Sequence, residues 1–163
     1  MMNQQGLLIG WDAAYDKEDW YPPLVDALKN VTAEQASWRP EGGHVNTIWE
    51  TLQHLVYYKE RLLKRLTGEE QDYPSDVTND DTFAIPAATE AEWQSSVDRA
   101  CEVHLGLREK LAAMTDERLD MKLPHREVGL WLQQLIDHDA YHIGQIIFLR
   151  KLQRSWPERR AFE

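Results

Sequence analysis

The sequence lacks the features that mark several classes of protein. Its single cysteine, Cys101, cannot form a disulfide within the chain, so a reducing compartment is the simplest expectation. No apolar run reaches the length of a membrane span, and the first residues have no basic segment ahead of an apolar one. We therefore expect a cytoplasmic protein without a membrane partner.

Positive charge is scarce as well. Lys and Arg number 18 against 28 Asp and Glu, which gives a formal net charge of −10 at pH 7. Proteins that bind nucleic acids usually present a basic face, and no basic stripe is visible in this chain. Nucleic acid is therefore not an expected partner. Glycine-rich phosphate loops, GxSxG elbows and CxxC pairs are also absent from the sequence.

The residues that are present indicate one all-α domain spanning residues 1–163. About 42% of the residues are hydrophobic, which is enough for one core. Apolar residues recur at helical spacing, and alternating β-branched patterns are absent. The spacing predicts a four-helix bundle with a long link between helices two and three. We place the helices at about 5–17 with a continuation to Asn30, then 46–67, 89–114 and 130–154, and the acidic link at 69–88.

Turn and cap signals support these boundaries. Asn46 is the expected N-cap of helix two, and Gly68 is expected to end it. Capping boxes are predicted at Thr32–Gln35 and at Thr89–Glu92, which opens helix three. Loops as long as the acidic link are often crossover connections or walls of a site.

Two histidines stand four residues apart in the predicted fourth helix. At this spacing His138 and His142 lie on one face, one turn apart, so both imidazoles can reach one metal ion. Their face is a predicted buried seam, where an unpaired polar group costs about 1–3 kcal/mol. Metal binding offsets such a cost, since structural zinc sites gain on the order of 10 kcal/mol. The seam comprises Trp131, Leu135, His138, His142, Gln145, Leu149 and Leu152.

A third ligand is expected on helix two. Lys59 interrupts the leucine line of that helix, which allows its inward face to be rotated toward Tyr58 and His54. Three neutral imidazoles would leave a fourth position open, as in catalytic zinc sites, and nitrogen ligation also suits Ni, Cu or Fe. The alternative is a plain bundle whose histidines are buried and hydrogen-bonded.

Several neighbours are candidates to orient the ligands or to line a substrate pocket. Gln134 and Gln145 flank the helix-four pair at i−4 and i+3, and Glu50 precedes His54 by one turn. Tyr58 and Tyr141 could donate hydrogen bonds to a bound substrate.

Three further polar residues lie in the predicted helices. His104, on the seam of helix three, is expected to be a core histidine, with a fourth ligand or an orienting group as alternatives. Asp137 and Asp139 point away from the predicted seam, so we expect both on a solvated face.

The segments that carry these histidines resemble the DinB/YfiT-like superfamily, bacterial proteins regarded as metalloenzymes. The resemblance lies in "NTIWETLQHLVYYKERLLKRLTGE" at 46–69, "LWLQQLIDHDAYHIGQIIFLRK" at 130–151 and "WYPPLVDALKNVTAEQASWRP" at 20–40. Its most specific element is one histidine on helix two followed by HxxxH on helix four. The resemblance implies a four-helix bundle whose metal, nickel or zinc, is held by His54, His138 and His142.

The resemblance also implies an activity. Some relatives resemble transferases or isomerases that use a low-molecular-weight thiol such as bacillithiol or mycothiol. We therefore expect a metal-dependent S-transferase acting on electrophilic small molecules, with the thiol as co-substrate. A metal-dependent hydrolase and a non-catalytic, stress-associated metal-binding protein are the alternatives. Family members are often dimers, so a homodimer is expected.

Overall fold

The computed structural model describes residues 3–69 and 76–159. Within these ranges the chain is all-α, as predicted: there is no strand, and Lys122 and Glu127 form an isolated β-bridge. Residues 70–75 of the predicted link lie outside the described part. The helices are α1 (Gln4–Tyr15), α2 (Leu24–Leu28), α3 (Ala33–Ser37), α4 (Ile48–Thr67), a 3₁₀ turn (Asp80–Phe83), α5 (Glu90–Ala112), α6 (Asp116–Leu119) and α7 (Val128–Leu152).

The ends of α4 follow from its terminal residues. Thr47, one residue beyond the predicted Asn46, is the N-cap: its side chain accepts from the backbone N–H of Glu50, whose carboxylate accepts from that of Thr47. Gly68 ends the helix in the left-handed region, with φ of 81°. The predicted end at Gly68 is confirmed, and these caps fix where His54 stands along α4.

The segment before α4 follows the prediction with a shorter helix. A helix was expected after the prolines to about Asn30, and α2 begins directly after Pro23 but ends at Leu28, before Asn30, whose φ is 60°. The capping box at Thr32 then starts the equally short α3. These short helices pack on the long ones: α2 contacts α7, and α3 contacts α4 and α5.

The four longest helices surround one apolar core. α4 contacts α5 and α7, and α1 contacts the same two helices. Trp11 and Trp49 are almost completely buried between them, together with many leucines. None of the described helices is long and apolar enough to cross a membrane.

The buried face of α7 is rotated from the predicted seam. Gln145 and Leu152 were expected in the seam, but both are exposed, while Leu132, Ile143 and Ile146 are buried. The orientation of α7 about its axis is set by the apolar residues on both sides of the histidines. Turning these residues inward buries more apolar surface than turning the predicted seam inward would. His138 therefore stands at the edge of the buried face and is only partly buried.

An ion pair lies inside the helical core. Lys59 Nζ is 2.5 Å from Asp139 Oδ2, and the two side chains are 3% and 2% exposed. The expected solvated face for Asp139 is therefore wrong, whereas Asp137 is exposed as predicted. Asp139 is buried and Asp137 is not because the buried ammonium of Lys59 needs a carboxylate partner, and Asp139 is the one that faces α4.

Candidate metal centre

Three imidazoles converge where α4 meets α7. His138 Nε2 is 3.0 Å from His54 Nε2 and 3.1 Å from His142 Nε2. The rings of His54 and His142 have centroids 4.9 Å apart, and the three residues form a group able to hold a metal ion. The structure thus brings together the three histidines that the sequence singles out.

The tautomer of His54 is fixed by the 3₁₀ turn. Its Nδ1 is 2.6 Å from Thr82 Oγ1, and the Thr82 hydroxyl donates to the carbonyl oxygen of Asn79, also at 2.6 Å. A hydroxyl has one proton to donate, so Thr82 Oγ1 must accept from the Nδ1–H of His54. The Nε2 of His54 therefore presents a lone pair to the cluster.

Gln145 fixes His142 in the same way. The Nδ1–H of His142 donates to Gln145 Oε1 at 2.7 Å, because a carbonyl oxygen only accepts. A ligand histidine commonly donates its second N–H to such a group, which orients the ring. His142 therefore also offers Nε2 as a lone pair.

The hydrogen bonds within the cluster cannot all be satisfied without a cation. Two short contacts meet at His138 Nε2, but this atom carries at most one proton when the ring is neutral. In the absence of an ion, at most one of the two contacts is therefore a full N–H···N hydrogen bond, and the other joins two nitrogens with no proton between them. The Nδ1 of His138 is buried and makes no hydrogen bond in the described part of the chain. A cation between the Nε2 atoms would satisfy all three nitrogens at once.

The three imidazoles are disposed to stay neutral. Burial, followed by the neighbouring His138 and His142, lowers the pKa of His54 from 6.5 to about 3. Burial, His142 and then Lys59 lower the pKa of His138 to about 4. Burial also lowers the pKa of His142, against the opposing effect of Gln145. A proton is therefore a poor occupant near pH 7, and neutral nitrogens are the form that metals require.

The spacing of the nitrogens fits a small divalent ion. Ligands about 2.1 Å from an ion lie about 3.0 Å apart at a right angle and about 3.4 Å apart at the tetrahedral angle. The observed 3.0 and 3.1 Å fall within this range. Two helices and the 3₁₀ turn thus hold a donor set of three nitrogens that could bind a metal ion.

Aromatic residues wall the cluster. The ring of Phe83 stacks on that of His54, with centroids 4.0 Å apart. The ring of Tyr58 meets that of His54 edge-on with centroids 5.0 Å apart, and the centroids of the Tyr141 and His142 rings are 4.9 Å apart. The Tyr58 hydroxyl donates to Asn79 Oδ1 at 3.0 Å, whereas Tyr141 is 65% exposed. The described part of the acidic link is thus a wall of this site, since it supplies Thr82 and Phe83.

Three candidates from the sequence lie elsewhere. Glu50 was expected to orient His54, but its carboxylate caps α4 and binds Arg39, because its place in the first turn turns it toward free backbone N–H groups. Gln134 accepts from Arg126 instead of contacting His138. His104 is a core residue, stacked on Tyr15 with centroids 3.9 Å apart.

Sequence reasoning missed Thr82, Phe83 and the Lys59–Asp139 pair. Thr82 and Phe83 stand in a non-periodic stretch that gives no helical phase, so nothing assigned them to His54. A signal existed for the pair: a lysine within a leucine line predicts an acidic partner, and Asp139 adjoins His138.

The all-α fold and the cluster of three neutral imidazoles are those of a helical protein that can bind a metal ion. The family model of the DinB superfamily matches residues 22–146, which is most of the chain. The chain therefore belongs to the DinB superfamily, which confirms the resemblance drawn from the sequence. Neither the curated proteins nor the solved structures gave a significant match.

Proposed function

We propose that the chain is a metal-dependent transferase that joins a small thiol, such as bacillithiol, to electrophilic small molecules. The observation that supports it is the cluster of three Nε2 atoms, in which those of His54 and His142 lie 3.0 and 3.1 Å from that of His138. Thr82 and Gln145 hold the first two as lone-pair donors. A divalent ion bound there supplies a Lewis acid that lowers the pKa of a thiol or of water.

The chain's own residues give the centre its shape. His54, His138 and His142 would hold the ion, and their three nitrogens leave room for a further ligand. The partial exposure of His138 supports access of a small molecule to the cluster. Tyr141, whose hydroxyl is not engaged by any described residue, is placed to donate a hydrogen bond to a substrate.

The proposed reaction balances without an oxidant. The thiol sulfur forms a bond to the electrophilic carbon, and the bond from that carbon to the leaving group breaks. The leaving group departs with the electron pair, and the thiol proton passes to solvent. Nitrogen ligation favours zinc or nickel over magnesium or calcium, which prefer oxygen.

The architecture that goes with this function is a four-helix bundle. The ring of contacts α1–α5–α4–α7–α1 supports this arrangement, with the link at 69–88 joining α4 to α5. A homodimer is part of the proposal, and sedimentation velocity of the purified protein tests it.

The test compares two histidine variants. Untagged protein loaded with zinc or nickel is mixed with bacillithiol and 1-chloro-2,4-dinitrobenzene, and formation of the conjugate is followed by absorbance. The wild type and His125→Ala, which changes an exposed histidine outside the cluster, should accelerate the reaction, and His54→Ala should not.

Other outcomes separate the alternatives. Hydrolysis of p-nitrophenyl acetate by the loaded wild type, without thiol conjugation, would replace the transferase with a hydrolase. If neither rate differs between the wild type and His54→Ala, the centre does not catalyse these reactions and the proposal fails.

A further inference from the structure

A cavity of about 510 Å³ lies along α7 beside Tyr141 and Gln145, two residues that contact His142. A volume of this size is typical of pockets that bind small molecules. Helix α7 contributes residues to the wall that include Tyr141, Gln145, Phe148 and Leu152, and the loop before α4 contributes His44 and Val45.

Two wall residues also contact His142. Gln145 accepts from the Nδ1–H of His142 through Oε1, and its amide nitrogen donates to no described residue, so that nitrogen is free to donate to an occupant. The ring of Tyr141 lies 4.9 Å from that of His142. A molecule in the cavity would therefore contact the residues that touch the centre.

Apart from His44, the wall is built from side chains that are uncharged near pH 7. Its described residues include no carboxylate, lysine or arginine, although 28% of the chain is charged. A second cavity, of about 610 Å³, has instead Arg150, Arg154 and Lys29 beside Glu18 and Asp26. The contrast indicates that an occupant beside Gln145 is uncharged, since an ion there would lose hydration without gaining a partner.

The wall of the cavity exposes apolar side chains, which suit aromatic or alicyclic groups. Phe148 is 62% exposed and Leu152 is 48% exposed, and together with Tyr141 they form a contiguous apolar surface. Exposed surfaces of this kind mark ligand grooves or protein interfaces. The contacts with His142 favour a small ligand here, because a partner protein would not need them.

We propose that this cavity binds the uncharged aromatic or alicyclic body of the substrate, with the Gln145 amide as hydrogen-bond donor. That this molecule is a substrate rests on the proposed function, whereas the binding of an uncharged apolar molecule does not. The cavity thereby selects the class of electrophile that reaches the centre.

A matched pair of dyes tests the proposal. N-phenyl-1-naphthylamine is neutral, and 8-anilinonaphthalene-1-sulfonate differs from it by one sulfonate; both fluoresce more strongly in apolar sites. The neutral dye should bind at least tenfold more tightly than the sulfonate. Phe148→Ser should weaken the neutral dye about tenfold, from the loss of one aromatic contact.

The control variants separate this site from the other features. Val25→Ser removes a similarly exposed apolar residue from a different groove, and it should leave binding of the neutral dye unchanged. His54→Ala should also keep the dye, because the cavity does not depend on the ion. Circular dichroism of each variant checks that the helices are retained.

Three results would overturn the proposal. The first is equal or tighter binding of the sulfonate dye, and the second is unchanged binding of the neutral dye in Phe148→Ser. The third is conversion of a dimer to a monomer by Phe148→Ser in sedimentation velocity, which would assign the surface to a second copy of the chain. Zinc binding measured on the same samples keeps the two proposals apart. Dye binding without zinc binding sinks only the proposed function, and zinc binding without the dye pattern sinks only the cavity.

Discussion

Replacing Lys59 with methionine would leave a carboxylate unpaired in the core. Lys59 Nζ lies 2.5 Å from Asp139 Oδ2, with both side chains almost fully buried. The other carboxylate oxygen, Oδ1, is buried and makes no hydrogen bond in the described part of the chain. Methionine fills much of the space of the lysine stem but offers no donor, so Asp139 would lose the only ion-pair partner that it has among the described residues.

The expected loss of stability is large. Removing one partner of a buried ion pair costs about 3–5 kcal/mol, because the remaining charge stays away from water. In a chain of this length each kcal/mol shifts the melting temperature by about 2–4 °C. Lys59→Met should therefore lower the Tm by roughly 6–20 °C.

Thermal unfolding followed by circular dichroism at pH 7 with a chelator measures this effect without a contribution from metal. Lys64→Met is the matched control, since Lys64 is exposed on the same helix and its loss should change little. The double variant Lys59→Met/Asp139→Leu should recover most of the stability by removing both charges. A Tm for Lys59→Met within 2 °C of the wild type would refute the reasoning, as would a double variant less stable than the single one.

Two further predictions concern Thr82 and His104. Thr82→Val removes the acceptor for the Nδ1–H of His54, so zinc affinity measured by calorimetry should fall about 10–100-fold; an unchanged affinity would mean that Thr82 does not orient this ring. Burial, Lys59 and Arg108 lower the pKa of His104 from 6.5 to about 2, so its contribution to stability is complete above pH 6.5 and is lost as the pH falls toward 2. The free energy of unfolding of the metal-free protein, measured with urea, should fall between pH 7 and pH 4.5. This fall should be smaller in His104→Phe than in the wild type, by on the order of 2 kcal/mol. Equal losses in the two proteins would contradict the role assigned to His104.

The sequence predicts the helices and the meeting of the histidines because both depend on local patterns. Helical spacing defines α4, α5 and α7, and the i, i+4 pair in α7 needs no tertiary information. His54 required one further inference, that Lys59 turns the inward face of α4. The inference placed His54 correctly, although Lys59 is itself buried.

The parts that sequence reasoning missed depend on contacts between distant segments. The hydrogen bond from His54 to Thr82 joins residues 28 positions apart, and the chain between them gives no helical phase. The rotation of α7 depends on how its apolar residues share the core with α1 and α4, which a heptad pattern alone does not fix. Glu50 was misassigned because a glutamate in the first turn of a helix can cap the helix as readily as it can face a histidine.

Calorimetric titration of zinc into untagged, metal-free protein tests the central claim most directly. We expect one ion per chain in the wild type and in His125→Ala, and loss of that binding in His54→Ala and His138→Ala. If the wild type takes up no zinc and no nickel, or if His54→Ala binds as tightly as the wild type, the three imidazoles are not a metal centre.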